Sequence, residues 1–424
     1  MHIISLIWKY VFSTFSYIVY IVSLYYLCIS FFGIVRIKDK KNIKPQKVFA
    51  MIVAAHNEEA VIQNTVESLK LLNYPKNMYD IFVIADNCSD KTASIAEKSG
   101  AIVMKRTDKD KEGKGYALEW MFSKLSKIEK KYDAVAILDA DNLVHENFLI
   151  EMNKKLCEGY KVVQGYLDSK NPYDTWITGN YSISFWTSNR MYQLSRNNLK
   201  LSNQLGGTGF CISTETLNEM GWGATCLTED LEFTCKLVLN GHRVGWAHDA
   251  IIYDEKPLTL SQSWHQRKRW MQGFADVSGR YFFKLMKRAI TKLDFAALDC
   301  ALYSIQPIMI ILFSIAFIVS GINYGRGAFK FMSNFHANYA GFNLSMGMIV
   351  VILAGVLQFI YTPFILILEK KLTPKIFWYY ILNPFYQLTW LPISIQGIIH
   401  KNDKKWNHTI HTRSVDIKEL EKVN

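Results

Sequence analysis

Three clusters of polar side chains in this sequence contain residue types that enzymes use for metal binding and proton transfer. The first cluster is Asp139-Ala140-Asp141, which closes a predicted strand over residues 132–139. Two carboxylates that leave the end of a strand together can converge on one divalent cation, and that cation can bind a diphosphate. An Asp-x-Asp pair is also common in ordinary turns, so its position at a strand end is what favours a functional role.

The second cluster is Thr228-Glu229-Asp230, which precedes a predicted helix over residues 231–241. A threonine followed by two acids is typical of a helix start, with Thr228 as the N-cap and the acids matched to the helix dipole. That structural role does not exclude a chemical one. A carboxylate that points from this position into a cleft can accept a proton from a hydroxyl group.

The third cluster is Gln266, Arg269 and Trp270, within an amphipathic helix predicted over residues 261–288. Residues three and four positions apart share a helix face, so these side chains lie together. They offer an amide, a guanidinium for phosphate oxygens and a flat indole for a ring-shaped ligand. Basic and aromatic residues on such a helix also fit a bilayer surface without any catalytic role.

Alternating strands and helices position the first two clusters. Apolar runs predict strands at residues 48–55, 79–86, 101–105 and 132–139, with a helix over 58–72. This order predicts an α/β domain built on a doubly wound, mostly parallel sheet. Ligands of such sheets bind beyond the carboxyl ends of the strands, where Asp86, Asp139 and Asp141 are expected.

Long apolar segments flank this domain. Half of the residues are apolar and only 20% are charged, which excludes a disordered chain. Residues 10–35 carry no charge and would reach about 39 Å as a helix, enough to span a bilayer. The run is too long for a cleaved signal peptide. Basic residues from Arg36 to Lys47 place its carboxyl side in the cytoplasm.

Further membrane segments are expected after the amphipathic helix. Residues 300–322 and 344–368 are each long enough to span, with the connector 323–343 outside and residues 369–375 inside. Pro384 and Pro392 interrupt the next apolar segment, 376–399. We favour an interfacial or re-entrant segment followed by a cytosolic tail over a full crossing.

Charge and cysteine content limit the alternatives. Seven cysteines without CxxC pairs or metal-ligand spacing argue against disulfides and zinc, and for a reducing cytosol around residues 88–235. The net charge of +12 arises largely beside the membrane segments, so we expect a lipid bilayer as partner and no nucleic acid. The expected organisation is 1–36 (transmembrane helix), 37–258 (cytosolic domain), 259–290 (interfacial helix), 291–400 (transmembrane and interfacial helices) and 401–424 (cytosolic tail).

Taken in order, the three clusters and the strand-end Asp86 resemble the motifs of processive family 2 membrane glycosyltransferases. That family includes synthases of cellulose, mixed-linkage β-glucan, hyaluronan and poly-N-acetylglucosamine. The resemblance covers about residues 48–275 and the membrane layout, and the combination of DxD, TED and QxxRW is what makes it specific. It implies a GT-A-type fold for the cytosolic domain.

The resemblance implies roles on the donor side of the site. Glu58 and Asp86 would lie near the uracil of a UDP-sugar, and Lys114 would approach the nucleotide-sugar. Asp139 and Asp141 would hold the diphosphate with Mg²⁺ or Mn²⁺. Without the resemblance, the sequence indicates only that Glu58 is an acidic residue at the N-terminus of a helix and that Lys114 is a lysine exposed to solvent.

On the acceptor side, the resemblance makes Asp230 the catalytic base. Arg269 would bind the diphosphate, and the acceptor sugar would contact Thr228, Glu229, Gln266 and Trp270. The acceptor-contacting Phe-Phe-Cys-Gly segment of cellulose synthases is replaced here by residues 206–210, GGTGF, which puts the acceptor contacts in doubt. The tail resembles the family's gating segment, with Trp406, Thr409 and Arg413 as candidates.

The function implied is a processive, inverting transferase that polymerises a β-linked polysaccharide, with β-glucan from UDP-glucose as first choice, and translocates it across the plasma membrane. Alternatives are a poly-β-N-acetylglucosamine synthase using UDP-N-acetylglucosamine, a non-processive transferase that glycosylates a lipid, and a non-enzymatic export subunit. The sequence does not decide whether the partners include further copies of the chain or accessory subunits.

Overall fold

A computed structural model of the protein describes residues 2–37, 43–224, 226–316, 318, 359–403 and 413–423. The first element is a long helix, α1 (His2–Phe31). Its carboxyl end lies against the rest of the protein, because the Tyr25 hydroxyl donates to Asp299 Oδ1 at 2.8 Å. The Asn198 amide donates to the carbonyls of Phe32 and Val35 just beyond the helix.

The amino-terminal half of the next domain alternates strands with helices. The apolar runs predicted from the sequence form buried strands, and short polar segments separate them from the helices on both sides of the sheet. The elements are β1 (Phe49–Ala55), α2 (Ile62–Lys70), β2 (Tyr79–Asp86), α3 (Thr92–Lys98), β3 (Ile102–Arg106), α4 (Lys114–Leu125), β4 (Ala134–Asp139), β5 (Leu143–Val144) and α5 (Phe148–Cys157).

The carboxyl-terminal half of the domain adds strands and the helix that begins at the TED motif. Between two of its strands, α6 continues into a short π-helix at Asn189–Leu194. The elements are β6 (Val162–Ser169), α6 (Trp176–Ser188), α7 (Ser195–Asn198), β7 (Phe210–Ser213), α8 (Thr214–Met220), α9 (Glu229–Leu239) and β8 (Val244–Asp254).

All eight strands form one mixed sheet in the order β3-β2-β1-β4-β7-β6-β8-β5. The strands from β3 to β4 are parallel, β7 is antiparallel to both of its neighbours, and β6 and β8 are parallel. Buried apolar clusters cover both faces of the sheet, one around α2 and α5 and the other around α4 and α9. The predicted doubly wound, mostly parallel sheet is confirmed in this mixed form.

A helix of 33 residues, α10 (Leu260–Lys292), follows the sheet. Thr259 caps it: the hydroxyl accepts from the Gln262 N–H at 3.2 Å, and the Gln262 side chain accepts from the Thr259 N–H. After it come α11 (Phe295–Ser304), α12 (Gln306–Ala316), α13 (Phe359–Leu368), α14 (Pro374–Ile381), α15 (Asn383–Leu388), α16 (Trp390–Ile399) and α17 (Ile417–Val423).

The expected span at residues 300–322 is not one helix in the described part of this region. α11 and α12 meet at a 71° bend, and Pro307 lies in the first turn of α12, where its ring cannot continue the preceding helix. Searched over the described residues, no single helix is both long and apolar enough to cross a membrane, although the bent pair together meets the requirement. Most of the second expected span, 344–358, lies outside the described residues.

Segment 376–399 is interrupted as the prolines predict. Pro384 lies in the first turn of α15, and Pro392 lies near the start of α16. These short helices pack against the domain, because the Asn180 amide donates to the Tyr379 carbonyl at 3.0 Å and the Trp264 indole donates to Gln396 at 3.0 Å.

Candidate active site

The Asp139-Ala140-Asp141 segment leaves the carboxyl end of β4, as expected. Its backbone is fixed by neighbours, since the Thr65 hydroxyl donates to the Ala140 carbonyl at 2.6 Å. Asp139 remains 40% exposed at the side chain, whereas Asp141 is buried and its Oδ2 accepts the Glu255 N–H at 2.9 Å. Asp139 therefore points toward solvent space, and Asp141 is part of the wall behind it.

Lys114 connects this strand end to a glycine-rich loop. Its ammonium pairs with Asp139 Oδ1 and also donates to the Gly207 carbonyl at 2.6 Å. Gly207 has a φ of +81°, a conformation in which a side chain is rarely found. Thr208 continues the link, because its hydroxyl accepts the Asp139 N–H at 3.0 Å. The GGTGF segment thus lies directly beside the Asp-x-Asp carboxylates.

The TED carboxylates lie on the other side of this loop. A Cβ placed on Gly207 would lie 3.6 Å from Asp230 Oδ2, and one on Gly115 would lie 3.5 Å from Cβ of Glu229. Burial raises the pKa of Asp230 to about 6, against the opposing effects of the Leu231 N–H and the Lys114 ammonium. Burial, followed by the neighbouring Asp230 charge, raises the pKa of Glu229 to about 7. A raised pKa suits a carboxylate that must take up a proton near neutrality.

Thr228 occupies the N-cap position of α9, but its side chain makes no capping hydrogen bond, so the predicted capping role is wrong. Its side chain is instead buried against α10. A Cβ built on Gly273 would lie 2.4 Å from both Cγ2 and Oγ1 of Thr228. The close approach of the two helices therefore depends on the missing side chain at 273.

The expected nucleotide-base side of the site lies at the ends of β1 and β2. Asp86 ends β2, and its buried Oδ1 accepts from Arg106 Nη1 at 2.5 Å. Burial raises the pKa of Asp86, while this ion pair opposes the rise. Asn57 adopts the left-handed conformation in the loop before Glu58, and its amide oxygen accepts the Ser89 N–H at 2.8 Å. Glu58 is buried behind this loop, where its N–H donates to the Thr92 hydroxyl at 2.8 Å.

The Gln266, Arg269 and Trp270 side chains share one face of α10, as their spacing predicts. The Tyr181 hydroxyl donates to Gln266 Oε1, and its ring lies 5.9 Å from the Trp270 ring in an edge-to-face arrangement. Phe185 stacks on Tyr181 at 5.8 Å. Nε of Arg269 is buried and has no hydrogen-bond partner among the described residues. These residues form an aromatic shelf (Tyr181, Phe185 and Trp270) beside an unpaired guanidinium nitrogen.

Sequence reasoning missed the residues that join the shelf to the strand end. Lys256 is buried, pairs with Asp254 at 2.6 Å, and lies 3.4 Å from the Phe185 ring centre. Burial raises the pKa of Asp254, and the Asp141 and Asp139 carboxylates add to that effect. Asp254 ends a strand, which is the same signal that identified Asp139. Tyr181 lies in α6, and nothing in its local sequence distinguishes it from a core residue.

Of the tail candidates, only Arg413 lies within the described residues. Its guanidinium pairs with Asp174 and its N–H donates to Glu255 Oε2 at 3.1 Å. Glu255 is the residue whose N–H is bonded to Asp141, so the tail reaches the wall of the site. Trp406 and Thr409 lie outside the described residues.

The Asp139 and Asp141 carboxylates suit a divalent cation whose remaining ligands are oxygens of the substrate. Across the described residues, no group of three or more His, Cys, Asp and Glu side chains is arranged to hold a metal ion. Mg²⁺ in nucleotide-dependent enzymes commonly takes one or two carboxylates, with phosphate oxygens and water as the other ligands. Asp139 and Asp141, one exposed and one behind it, match that partial set. The metal assignment stays a prediction.

A family model described as "Glycosyltransferase like family 2" matches residues 45–273, more than half of the chain and all of the site described above except Arg413. The protein belongs to glycosyltransferase family 2. The prediction of a glycosyltransferase is thereby confirmed.

Curated relatives of this family 2 glycosyltransferase differ in their products. "Probable glycosyltransferase YdaM" of Bacillus subtilis is 30% identical over 60% of this chain and 62% of its own length. "Beta-monoglucosyldiacylglycerol synthase" of Trichormus variabilis is 29% identical over 53% of this chain and 48% of its own. "Poly-beta-1,6-N-acetyl-D-glucosamine synthase" of Staphylococcus aureus is 28% identical over 59% and 60%. The chain thus aligns with about half to three fifths of these proteins.

A solved structure supports the fold assignment. The mannosyltransferase PcManGT from Pyrobaculum calidifontis, in complex with GDP-Man and Mn²⁺, superposes with a TM-score of 0.59. The match covers 93% of this chain and 99% of that one at 14% identity. At that identity the likeness shows a shared GT-A fold, with a mixed Rossmann-like sheet.

Proposed function

We propose that this glycosyltransferase polymerises a β-linked polysaccharide from a UDP-sugar, with inversion at the anomeric carbon. One observation carries the proposal: Lys114 bridges Asp139 and the Gly207 carbonyl, and Asp230 lies on the far side of that same glycine. A group that binds phosphate oxygens and a carboxylate with a raised pKa therefore both lie beside Gly207. That arrangement is what a single displacement at a sugar–diphosphate bond requires.

The residues suggest how the reaction proceeds. The acceptor hydroxyl oxygen forms a bond to the sugar C1 as the bond from C1 to the diphosphate oxygen breaks, and Asp230 takes the hydroxyl proton. One displacement inverts the configuration, so an α-linked donor gives a β-linked product. Lys114 and Arg269 stabilise the charge that collects on the departing diphosphate. The shelf holds the acceptor so that its hydroxyl faces C1.

Asp139 and Asp141 are the residues that would hold Mg²⁺ or Mn²⁺. When bound, the cation supplies positive charge to the diphosphate and lowers the cost of its departure. The proposal is supported by the exposed Asp139 carboxylate and by the chemistry of a donor set that phosphate oxygens complete. Binding of the nucleotide base is assigned to the loops that carry Glu58 and Asp86.

A polymeric product is favoured by the aromatic shelf. Trp270 and Phe185 are partly exposed and offer aromatic rings to the sugars of an acceptor chain, whereas Tyr181 is buried and packs against both rings. UDP-glucose, giving β-glucan, is our first choice of donor. UDP-N-acetylglucosamine is the second, supported by the similarity to the poly-β-1,6-N-acetyl-D-glucosamine synthase. The similarity to a glucosyldiacylglycerol synthase supports transfer to a lipid as the alternative.

We place the protein in the plasma membrane as a multi-pass protein, with the catalytic domain in the cytosol and the polymer exported through the membrane part. Support comes from the sequence of α1, with its basic flank, and from the bent apolar pair α11–α12. Large apolar side chains on α14 and α15 are also exposed, among them Trp378 and Phe385.

The test uses the purified full-length chain in detergent or proteoliposomes. It is incubated with labelled UDP-glucose or UDP-N-acetylglucosamine, with and without diacylglycerol, and products are separated by size and digested with linkage-specific hydrolases. A large β-linked product formed without added lipid supports the proposal. A single sugar on diacylglycerol would establish the lipid alternative and overturn the polymer assignment. Asp230→Asn protein is the blank for each reaction.

A further inference from the structure

A cationic cavity lies at the corner where α10 turns into α11, and none of its lining residues belongs to the site described above. It has a volume of about 410 Å³ and is lined by residues 199–201, Arg243, Arg288 and 292–296. Four of the lining side chains are cationic and one is acidic: Lys200, Arg243, Arg288, Lys292 and Asp294. We call this the corner cavity.

The single acidic side chain of the corner cavity already has its partners. Asp294 caps α11, with Oδ1 accepting the Ala296 and Ala297 N–H groups at 3.1 and 3.3 Å. Its Oδ2 accepts from Nε of Arg288 at 2.7 Å, and Arg288 also donates to the Leu239 carbonyl at 3.0 Å. Arg288 and Asp294 therefore form a fixed back wall with little net charge.

The other three cations are left without carboxylates. Lys200, Arg243 and Lys292 form no ion pair with any described residue, although Arg243 donates to the Lys200 carbonyl. Three like charges around one cavity repel each other, and an anion placed between them relieves that repulsion. The cavity thus has the charge and the room for a phosphodiester.

The rim of the corner cavity is apolar and faces outward. Of the lining residues, Leu293 is 80% exposed and Phe295 71%, and Ile290, three residues before Leu293 and outside the lining, is 69% exposed. Leu293 adopts a left-handed conformation with a φ of +50°, which costs free energy in a non-glycine residue and here turns the chain between the two helices. Exposed apolar side chains beside unpaired cations are the pattern of a surface that meets lipid headgroups and acyl chains together.

We propose that the corner cavity binds the headgroup of an anionic phospholipid, with Leu293, Phe295 and Ile290 among its acyl chains. The three unpaired cations match the phosphodiester charge, and the apolar rim distinguishes a lipid from free phosphate or a nucleic acid, neither of which buries such side chains. The cavity also lies at the start of the bent apolar pair α11–α12. The inference does not depend on the donor, the acceptor or the polymer proposed above.

The experiment titrates the full-length chain in zwitterionic detergent with short-chain phosphatidylglycerol, followed by calorimetry or native mass spectrometry. Phosphatidylcholine of the same chain length, glycerol phosphate and a short oligonucleotide are titrated in parallel. The test variant is Lys200→Gln/Arg243→Gln/Lys292→Gln, which leaves the Arg288–Asp294 wall intact. The matched control, Lys124→Gln/Lys127→Gln/Lys131→Gln, removes the same charge from exposed positions on and just after α4.

The expected result is tighter binding of phosphatidylglycerol than of phosphatidylcholine. At about fivefold per cation near an anionic surface, the test variant loses on the order of a hundredfold in affinity for phosphatidylglycerol. The control variant keeps the preference. A second variant, Phe295→Ser, should weaken phosphatidylglycerol binding and leave glycerol phosphate binding unchanged.

Three outcomes overturn the proposal. Equal loss in the control variant would show that net charge, and not the cavity, attracts the lipid. Equal affinity for glycerol phosphate and phosphatidylglycerol would show a phosphate site without a lipid. Displacement of phosphatidylglycerol by the oligonucleotide from the same cations would assign the cavity to nucleic acid.

Discussion

Asp139 and Asp141 are at the carboxyl end of the central strand β4, whereas Glu229 and Asp230 lie in the first turn of helix α9, on the other side of the Gly207 loop. The first pair has an exposed member in an ion pair with Lys114. In the second pair, burial raises the pKa of both carboxyl groups. The two carboxylates of α9 thus have a raised proton affinity, whereas Asp139 has an ammonium partner.

This difference shows how one pocket can bind an anionic leaving group and accept a proton at the same pH. Asp139 is exposed and pairs with the Lys114 ammonium, so it lies where a carboxylate can contact a cation. Burial at α9 raises the proton affinity of Glu229 and Asp230, and a carboxylate that accepts a proton near neutral pH needs a raised proton affinity. Lys114 lies between the two pairs and lowers the pKa of both TED carboxyl groups.

The largest expected effect comes from removing the proposed base. Asp230→Asn should lower kcat by about 100- to 10,000-fold, because the acceptor proton then has no acceptor in place. Calorimetry should show UDP binding within about twofold of the wild type, because the strand-end pair is intact. Glu219→Gln, an exposed acid on α8, serves as the matched control. Near-normal turnover by Asp230→Asn would reassign the base.

Substitution of Asp139 or Asp141 should weaken nucleotide binding, whereas Asp230→Asn should lower turnover and leave nucleotide binding intact. Asp139→Asn and Asp141→Asn should weaken UDP binding in the presence of Mn²⁺ by about 10- to 100-fold, since each loses a charged ligand. EDTA should reduce the wild-type affinity to the level of the variants. If the affinity of the wild type is the same with Mn²⁺ and with EDTA, the two carboxylates do not hold a cation.

Lys114 tests whether the two pairs are electrically linked. Without its positive charge, as in Lys114→Met, the pKa of Asp230 should rise further. Because the base must be deprotonated, the acid limb of kcat/KM, expected near pH 6 in the wild type, should move upward by about one pH unit. Lys111→Met, an exposed lysine of the preceding loop, should leave the limb in place. An unshifted limb in Lys114→Met would separate the two pairs.

The smallest expected effect is on stability. The folded pKa of Glu229 is raised, so its charged form destabilises the fold above that pKa, and the penalty disappears as pH falls below the unfolded pKa. Glu229→Gln should therefore raise the free energy of unfolding near pH 8 by about 1–2 kcal/mol, with no gain near pH 4. Thermal unfolding at both pH values measures the difference. A gain at pH 4 equal to that at pH 8 would point to packing instead of charge.

The part of the fold that the sequence predicts is the part with local signals. β1, β2 and β4 are apolar runs that end in polar turns, and their boundaries were predicted to within two residues. β6 gave no such signal, because Gln164 and Asp168 are polar residues buried within the strand. Gln164 donates to the carbonyls of Thr208 and Gly209, contacts that only the folded chain creates.

The site residues also fall into two groups, those with a local sequence signal and those without one. Asp139, Asp230 and Trp270 were predicted because they sit in short motifs with fixed spacing. Lys256 and Tyr181 were not, because each acquires its place through partners distant in sequence, Phe185 for the lysine and Gln266 for the tyrosine. The capping role of Thr228 was wrong because its side chain packs against α10, which lies 45 residues further along at Gly273.

Gly273 limits which substitutions helix α10 can tolerate. The backbone of α10 touches the residue directly before the TED carboxylates with no side chain between them. Any larger residue at 273 must move either the segment that carries the proton acceptor or α10 itself, which carries Trp270 one turn away. We expect the narrowest tolerance to substitution along this helix at a position that contributes no functional group of its own.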